Sequence, residues 1–278
     1  MEGTAAEGTE RGTSKFSWRQ FAVLVCMLSV GYVAIIPYSL TLEANAIKTL
    51  TTRVPLPILI AAQTVQGIVL YSILAGVGLF TAGRIGLGAP ILRRWIEGRS
   101  GGDEVRRIIR PALLVGVIGS IVLIAIEDVV FAPLLAKDLA RLGITIPATL
   151  HPPAWQGLLG SLYGPFDEEI VMRLFVLTVL AWVGNRIWKS GAGRPSSAVL
   201  WTANILAAVL FGLAHLPATA AAGLPLDPIV ISRAVVLNGL LGGGFGWLYF
   251  TAGLESAMLA HFSADIIAHV IAPLLSVV

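Results

Sequence analysis

The stretch Gly164 to Phe175, GPFDEEIVMRLF, sets two adjacent glutamates just ahead of Arg173 and runs on into the apolar VLTVLAW. A carboxylate held in such a setting can take a proton from water and so activate it for attack on a carbonyl. On a helix Glu169 and Arg173 stand one turn apart, with the acid on the amino-terminal side, and can pair. Glu168 then points about 100° away from that pair. A second cluster, FGLAHLP, puts Phe211 and His215 on one helical face, with Pro217 marking the helix end. In a third, LESAMLAHFSADIIAHV, the residues His261, Asp265 and His269 recur every four positions as a polar stripe on an apolar helix. An ionisable residue at a bilayer centre costs at least ~2.5 to 3.5 kcal/mol on insertion scales, so each cluster needs a reason to persist.

The elements that must carry these groups follow from composition. The chain has 278 residues, 56% hydrophobic and only 13% charged, with a mean hydropathy of +0.84. Soluble domains carry about 25% charged residues. Apolar runs of span length recur, each able to cross a hydrocarbon core of roughly 30 Å as a helix. The fold class is therefore all-α, a polytopic transmembrane helical bundle of seven or eight spans. Residues 1–19 are polar and unpatterned and read as a disordered tail. Residues 20–278 form a single membrane domain, with no cleavable signal peptide at its start. Spans are expected at about 20–40, 55–82, 111–135, 167–184, 197–214, 228–250 and 253–275.

The lone Cys26 excludes an internal disulfide and a cysteine zinc site. The basic balance reads as an orientation signal rather than a nucleic-acid surface. With seven spans, thirteen Lys/Arg fall on the amino-terminal side and four opposite, a bias that sets the amino terminus in the cytoplasm. The uncharged Leu142–Tyr163 is nonetheless long enough to be an eighth span despite Pro152 and Pro153, which would weaken the bias to ten against seven.

Each cluster also has a structural reading. The acid pair can cap a helix at the interface. His215 can serve a helix end, and His261 with Asp265 can be a packing contact between turns. HFSADIIAH can be half a metal site, but no HExxH exists here. Three of the four histidines lying in spans near acids makes these readings much weaker together than singly. Two small-residue faces, Gly239-xxx-Gly243 and Gly242-xxx-Gly246, suit close helix packing. Glu127, Asp128 and Arg233 are further intramembrane charges that pair, line a cavity, or reach an interface.

EExxxR, FxxxH and HxxxD, in that order on successive apolar helices, resemble the pattern of CPBP (Abi) intramembrane endopeptidases. That family includes type II CAAX prenyl endopeptidases and bacteriocin-processing or immunity relatives. The resemblance covers about residues 145–278, the protease-like core. It implies that Glu168 is the general base, aided by His215, that His261 stabilises the oxyanion, and that Glu169 and Arg173 give structural support. Many members have Asn where this chain has Asp265. An ionised Asp accepts but does not donate, so Asp265 is either protonated or orients His261. The resemblance implies no cofactor and no metal, a lipid bilayer and a membrane-associated peptide or protein as partners, and a place in the cell (plasma) membrane. It also implies eight spans, with the site open to the cytoplasm. The same residues suit a proton- or ion-coupled transporter, or a non-catalytic immunity or scaffold relative.

Overall fold

The computed structural model describes residues 16–144, 152–188 and 194–275, which are helical throughout their ordered elements and contain no strand. Residues 1–15 of the expected tail lie outside the described residues, as do His151 and Ser190. In a bilayer every backbone N–H and C=O must find its partner within the chain, which for apolar runs of this length means helix. Seven helices are long and apolar enough to cross a membrane: α1 Trp18–Leu42, α2 Leu56–Ile85, α3 Gly102–Leu142, α4 Ala154–Ile187, α5 Ser197–Ala221, α6 Pro228–Ala252 and α7 Leu254–Leu275. The protein is a multi-pass membrane protein, an all-α bundle.

Several boundaries differ from the expected ones: α4 begins at Ala154 rather than at about 167, and α3 and α5 run on to Leu142 and Ala221. α3 begins at Gly102 rather than Pro111 because its first turns are charged but amphipathic. They bury Ile108 and Ala112 while Arg106, Arg107 and Arg110 stay exposed. The helix passes through Pro111 and continues in a π-wound turn, Leu114–Ile118. Among the described residues no eighth span forms. Leu142 ends α3 against Gly143, whose φ of 66° suits a left-handed helix stop. Pro153 precedes α4, which starts at Ala154. The described parts of the uncharged stretch are thus the end of one helix and the start of the next, with residues 145–151 outside the described residues. Of the two counts expected, seven is the number of helices of span length among the described residues.

Lipid-facing and interior surfaces separate cleanly. Ile58, Val65 and Val69 on α2 and Ile205 on α5 are exposed, as expected where hydrocarbon is the solvent. Trp18, Trp95 and Trp188 are also exposed, and all three lie at the arginine-rich end, where indole rings sit at a membrane interface. Inside, Leu24 and Leu28 of α1 and Ala75 of α2 pack with Ile170, Leu174 and Leu177 of α4. α6 starts at Asp227, whose carboxylate accepts from the amides of Ile229 and Val230. Those bonds, the Val230 one foremost, hold Asp227 below the usual carboxylate range. A depressed value contributes stability above the ordinary carboxylate pKa, and the contribution is lost as pH falls through the folded value.

Small residues set how closely the helices approach. Gly242 of α6 packs on Phe211 and Ala208, and Gly246 on Asn204. A Cβ at Gly243 would meet nothing within 4 Å, whereas one at Gly239 would touch the Ala208 backbone at 3.5 Å, so the Gly239/Gly243 pair does not act as one face. The Gly243 carbonyl instead accepts from the Asn204 side chain at 2.9 Å. Several glycines bring backbones directly together, among them Gly78 of α2 on Leu174 of α4, and Gly116 of α3 on Ala260 of α7. Glu127 and Arg233 form a two-pronged pair across α3 and α6 at 3.0 and 2.8 Å, which settles the partner of both charges.

A Cβ at Gly116 would sit 2.2 Å from the Ala260 carbonyl oxygen. Gly116→Ala should therefore destabilise the bundle by about 1 to 3 kcal/mol, the usual cost of overpacking. Gly243→Ala should leave stability unchanged or slightly raised, since Ala is the better helix former. Thermal unfolding of the two purified variants in detergent checks both, and equal midpoints would contradict the packing described.

Candidate active site

Glu168 does not open a helix. It lies well inside α4, as the last residue of the π-wound stretch Gly164–Glu168, and Glu169 joins that stretch to a second one, Ile170–Leu177. The reading of the acid pair as a helix-start cap is therefore corrected, and no helix amino terminus bears on it. The extra residue in each π turn re-aims the side chains that follow, which is why such turns recur at functional sites. Here they turn both adjacent acids toward α7.

Glu169 is fully buried. Its Oε1 accepts from His261 Nδ1 at 2.8 Å, and its Oε2 stands 3.2 Å from Arg173 Nε. The second contact is an ion pair held by proximity rather than an aligned hydrogen bond. Arg173, also buried, donates from Nη2 to the Gly242 carbonyl at 3.2 Å. Its guanidinium lies over the rings of Phe211 and Phe245, at 4.8 and 5.6 Å, and their negative faces offset part of the charge's desolvation.

Glu168 keeps 24% of its side chain exposed and faces two histidines. His215 Nε2 is 3.9 Å from its Oε1, and His261 Nε2 is 3.6 Å from its Oε2. His215 sits where the straight part of α5 ends at Ala214. Its own amide turns to Gly212, and its Nδ1 takes the freed Phe211 carbonyl at 2.8 Å. A carbonyl only accepts, so Nδ1 carries the proton and a neutral His215 shows its lone pair to Glu168. His261 is stacked on Phe245, with centroids 4.7 Å apart. Its Nε2 also faces Asp265 Oδ1 at 3.6 Å. Gly164 makes room for this arrangement, since a Cβ there would lie 2.5 Å from Asp265 Oδ2 and 2.6 Å from His261 Nε2. Glu168, His215, His261 and Asp265, taken from three helices, thus border one space, with Glu169 and Arg173 behind it. Among the described residues no group of three or more His, Cys, Asp or Glu is arranged to hold a metal ion.

Sequence reasoning missed several members. Glu169 was matched to Arg173 alone, yet it also holds His261, a contact between residues far apart in the chain that no spacing rule reveals. Phe245 carried no signal at all. Asp167 is fully buried, with neither oxygen hydrogen-bonded, against Gly31 of α1. The run of three acids was visible, but not which of them would be sealed.

Residues 149–267 match the family described as Rce1-like, type II CAAX prenyl endopeptidase Rce1-like. This part of the chain is Rce1-like. All six residues of the constellation fall within the Rce1-like segment, which bears out the resemblance to CAAX proteases and implies a CAAX-type intramembrane protease acting beside a lipid bilayer on a membrane-associated peptide. No curated protein and no solved structure matches the chain.

Removing one partner of a dry ion pair leaves the other uncompensated, at a cost of roughly 3 to 5 kcal/mol. Arg173→Ala should therefore lower both the yield and the unfolding temperature of the protein. Adding Glu169→Gln should restore part of that loss, because it removes the stranded charge. An Arg173→Ala protein as stable as the wild type would show that the pair is not structural.

Proposed function

We propose that this protein is an intramembrane glutamic endopeptidase that hydrolyses a peptide bond of a membrane-associated substrate in the cell membrane. The observation that carries the reading is the placement of Glu168. It is the one partly exposed acid of the DEE run, and it stands between the Nε2 atoms of two histidines whose Nδ1 atoms are each committed elsewhere. Water reaches Glu168 from its exposed edge. The carboxylate takes one proton as the oxygen attacks the carbonyl carbon, while the lone pair on His215 Nε2 holds the second hydrogen. His261, flanked by Glu169 and Asp265, carries a proton on Nε2 and donates it as a hydrogen bond to the oxygen that gains charge. Such a donor is worth roughly 3 to 4 kcal/mol. The carbon–nitrogen bond then breaks, and the proton on Glu168 passes to the departing amine, returning the base to its starting form.

Glu168→Gln preserves shape and deletes the base. It should fold with an unchanged unfolding temperature and lose at least ~10²-fold in kcat, and peptidase activity should survive exhaustive chelation, since no step uses a Lewis acid. A fully active Glu168→Gln protein would remove the proposed base. Loss on chelation with recovery on adding zinc would make the same residues metal ligands instead.

With seven spans, the thirteen Lys/Arg on the amino-terminal side orient that side to the cytoplasm. The connection from α5 to α6, beside His215, then faces the opposite compartment. In a Cys26→Ser background, Ser100→Cys should label only from the cytoplasm and Thr52→Cys only from outside. The reverse pattern would invert the assigned orientation.

A further inference from the structure

His269 lies beyond the Rce1-like segment and has no part in the mechanism above. It stands on α7 in the π-wound turn Ile266–Ile271. Its Nδ1 is 3.3 Å from the hydroxyl of Tyr38 on α1, and the two rings meet edge to face with centroids 5.5 Å apart. Its Nε2 is 3.9 Å from Asp265 Oδ1, the same oxygen that faces His261 Nε2 at 3.6 Å. When the Tyr38 hydroxyl donates to Nδ1, a neutral His269 carries its proton on Nε2, directed at Asp265. The turn itself is fixed from outside, since a Cβ at Gly157 of α4 would lie 2.0 Å from the His269 carbonyl oxygen. Asp265 Oδ1 thus faces two imidazoles on one helix, each just beyond hydrogen-bond distance, and only one of them belongs to the site.

We propose that His269, held by Tyr38, is a positioning residue that fixes the Asp265 carboxylate against His261 Nε2 and so sets the orientation of that imidazole during the reaction. The role rests on the peptidase reading, in which His261 is the donor to the oxyanion. The titratable groups around Asp265 are His261 and His269 on its own helix and Glu168 and Glu169 from α4, with Tyr38 facing it from α1. Of these, only Tyr38 and His269 lie outside the reacting constellation, so they are the ones whose removal isolates positioning from chemistry.

The chain holds four histidines, few enough to follow individually by nitrogen-15 NMR of histidine-labelled protein in nanodiscs, in parallel with steady-state kinetics. His269→Ala should displace the His261 resonances and their pH titration. It should lower kcat by roughly 10- to 100-fold, the scale of a modest misplacement of a reacting group, with KM unchanged. His269→Gln sets an amide donor near the Nε2 position and should return both readouts most of the way to wild type. Tyr38→Phe should move both in the same direction as His269→Ala, by less. An unchanged His261 titration in His269→Ala, a change in KM with kcat intact, or failure of His269→Gln to rescue would each overturn the proposal. A His261 titration that still moves in a protein without peptidase activity would uphold the contact and sink the peptidase reading instead. Should His269→Ala not fold, the Gln and Phe variants carry the same comparison.

Discussion

A single buried carboxylate organises this bundle. Glu169 has no exposed surface, and its two oxygens face two nitrogen donors, the permanently charged Arg173 guanidinium and the His261 imidazole. A lone charge so placed would be untenable, and each partner makes the other's burial tolerable. Arg173 then needs the Gly242 carbonyl and two aromatic faces, which draws α5 and α6 onto α4. His261 fixes the rotation of α7 and is sandwiched against Phe245 of α6. Four helices are therefore registered against one another by the coordination needs of one acid. The partly exposed Glu168 inherits its surroundings from that registration.

The electrostatic scaffold depends in turn on places where side chains are missing. Gly164 leaves space beside His261 and Asp265, Gly116 lets α3 lie on the backbone of α7, and Gly78 lets α2 lie on α4 at Leu174. In a bilayer no hydrophobic driving force pulls helices together, so close contact has to come from small residues and interior polar bonds. Here the two devices alternate along the same helices, and the polar clusters sit where the glycines have already brought backbones close.

Much of this was legible in the sequence, because membrane helices announce themselves by apolar length and interior charges by their cost. The EExxxR, FxxxH and HxxxD clusters could be found for that reason, and they converge in space. Helix ends were read less well. Charged but amphipathic turns such as Gly102–Arg110 escape a hydropathy criterion, and the uncharged Leu142–Tyr163 satisfied it without forming a span among the described residues. Winding was invisible. The π turns in α4 and α7 shift every following side chain, yet they leave no mark in residue spacing that distinguishes them from α-helix. Contacts between distant residues, Glu169 with His261 and Tyr38 with His269, were equally out of reach, since each depends on which way two helices are turned.

The break in α5 at His215 has one further consequence. The Phe211 carbonyl is free to accept from His215 because the helical ladder is interrupted there, with the His215 amide turned to Gly212 and Pro217 just ahead, before winding resumes over Leu216–Ala221. The imidazole completes the last hydrogen bond of the straight part of α5. Its tautomer is thus a property of that interruption. Were the ladder to run unbroken through His215, its amide would take the Phe211 carbonyl, Nδ1 would lose its acceptor, and the proton could move to Nε2, turning an acceptor facing Glu168 into a donor. The state of this histidine is therefore tied to the geometry of one kink, and whatever straightens or shifts that kink, the thickness of the surrounding bilayer included, acts on the space beside Glu168 without touching any other part of it.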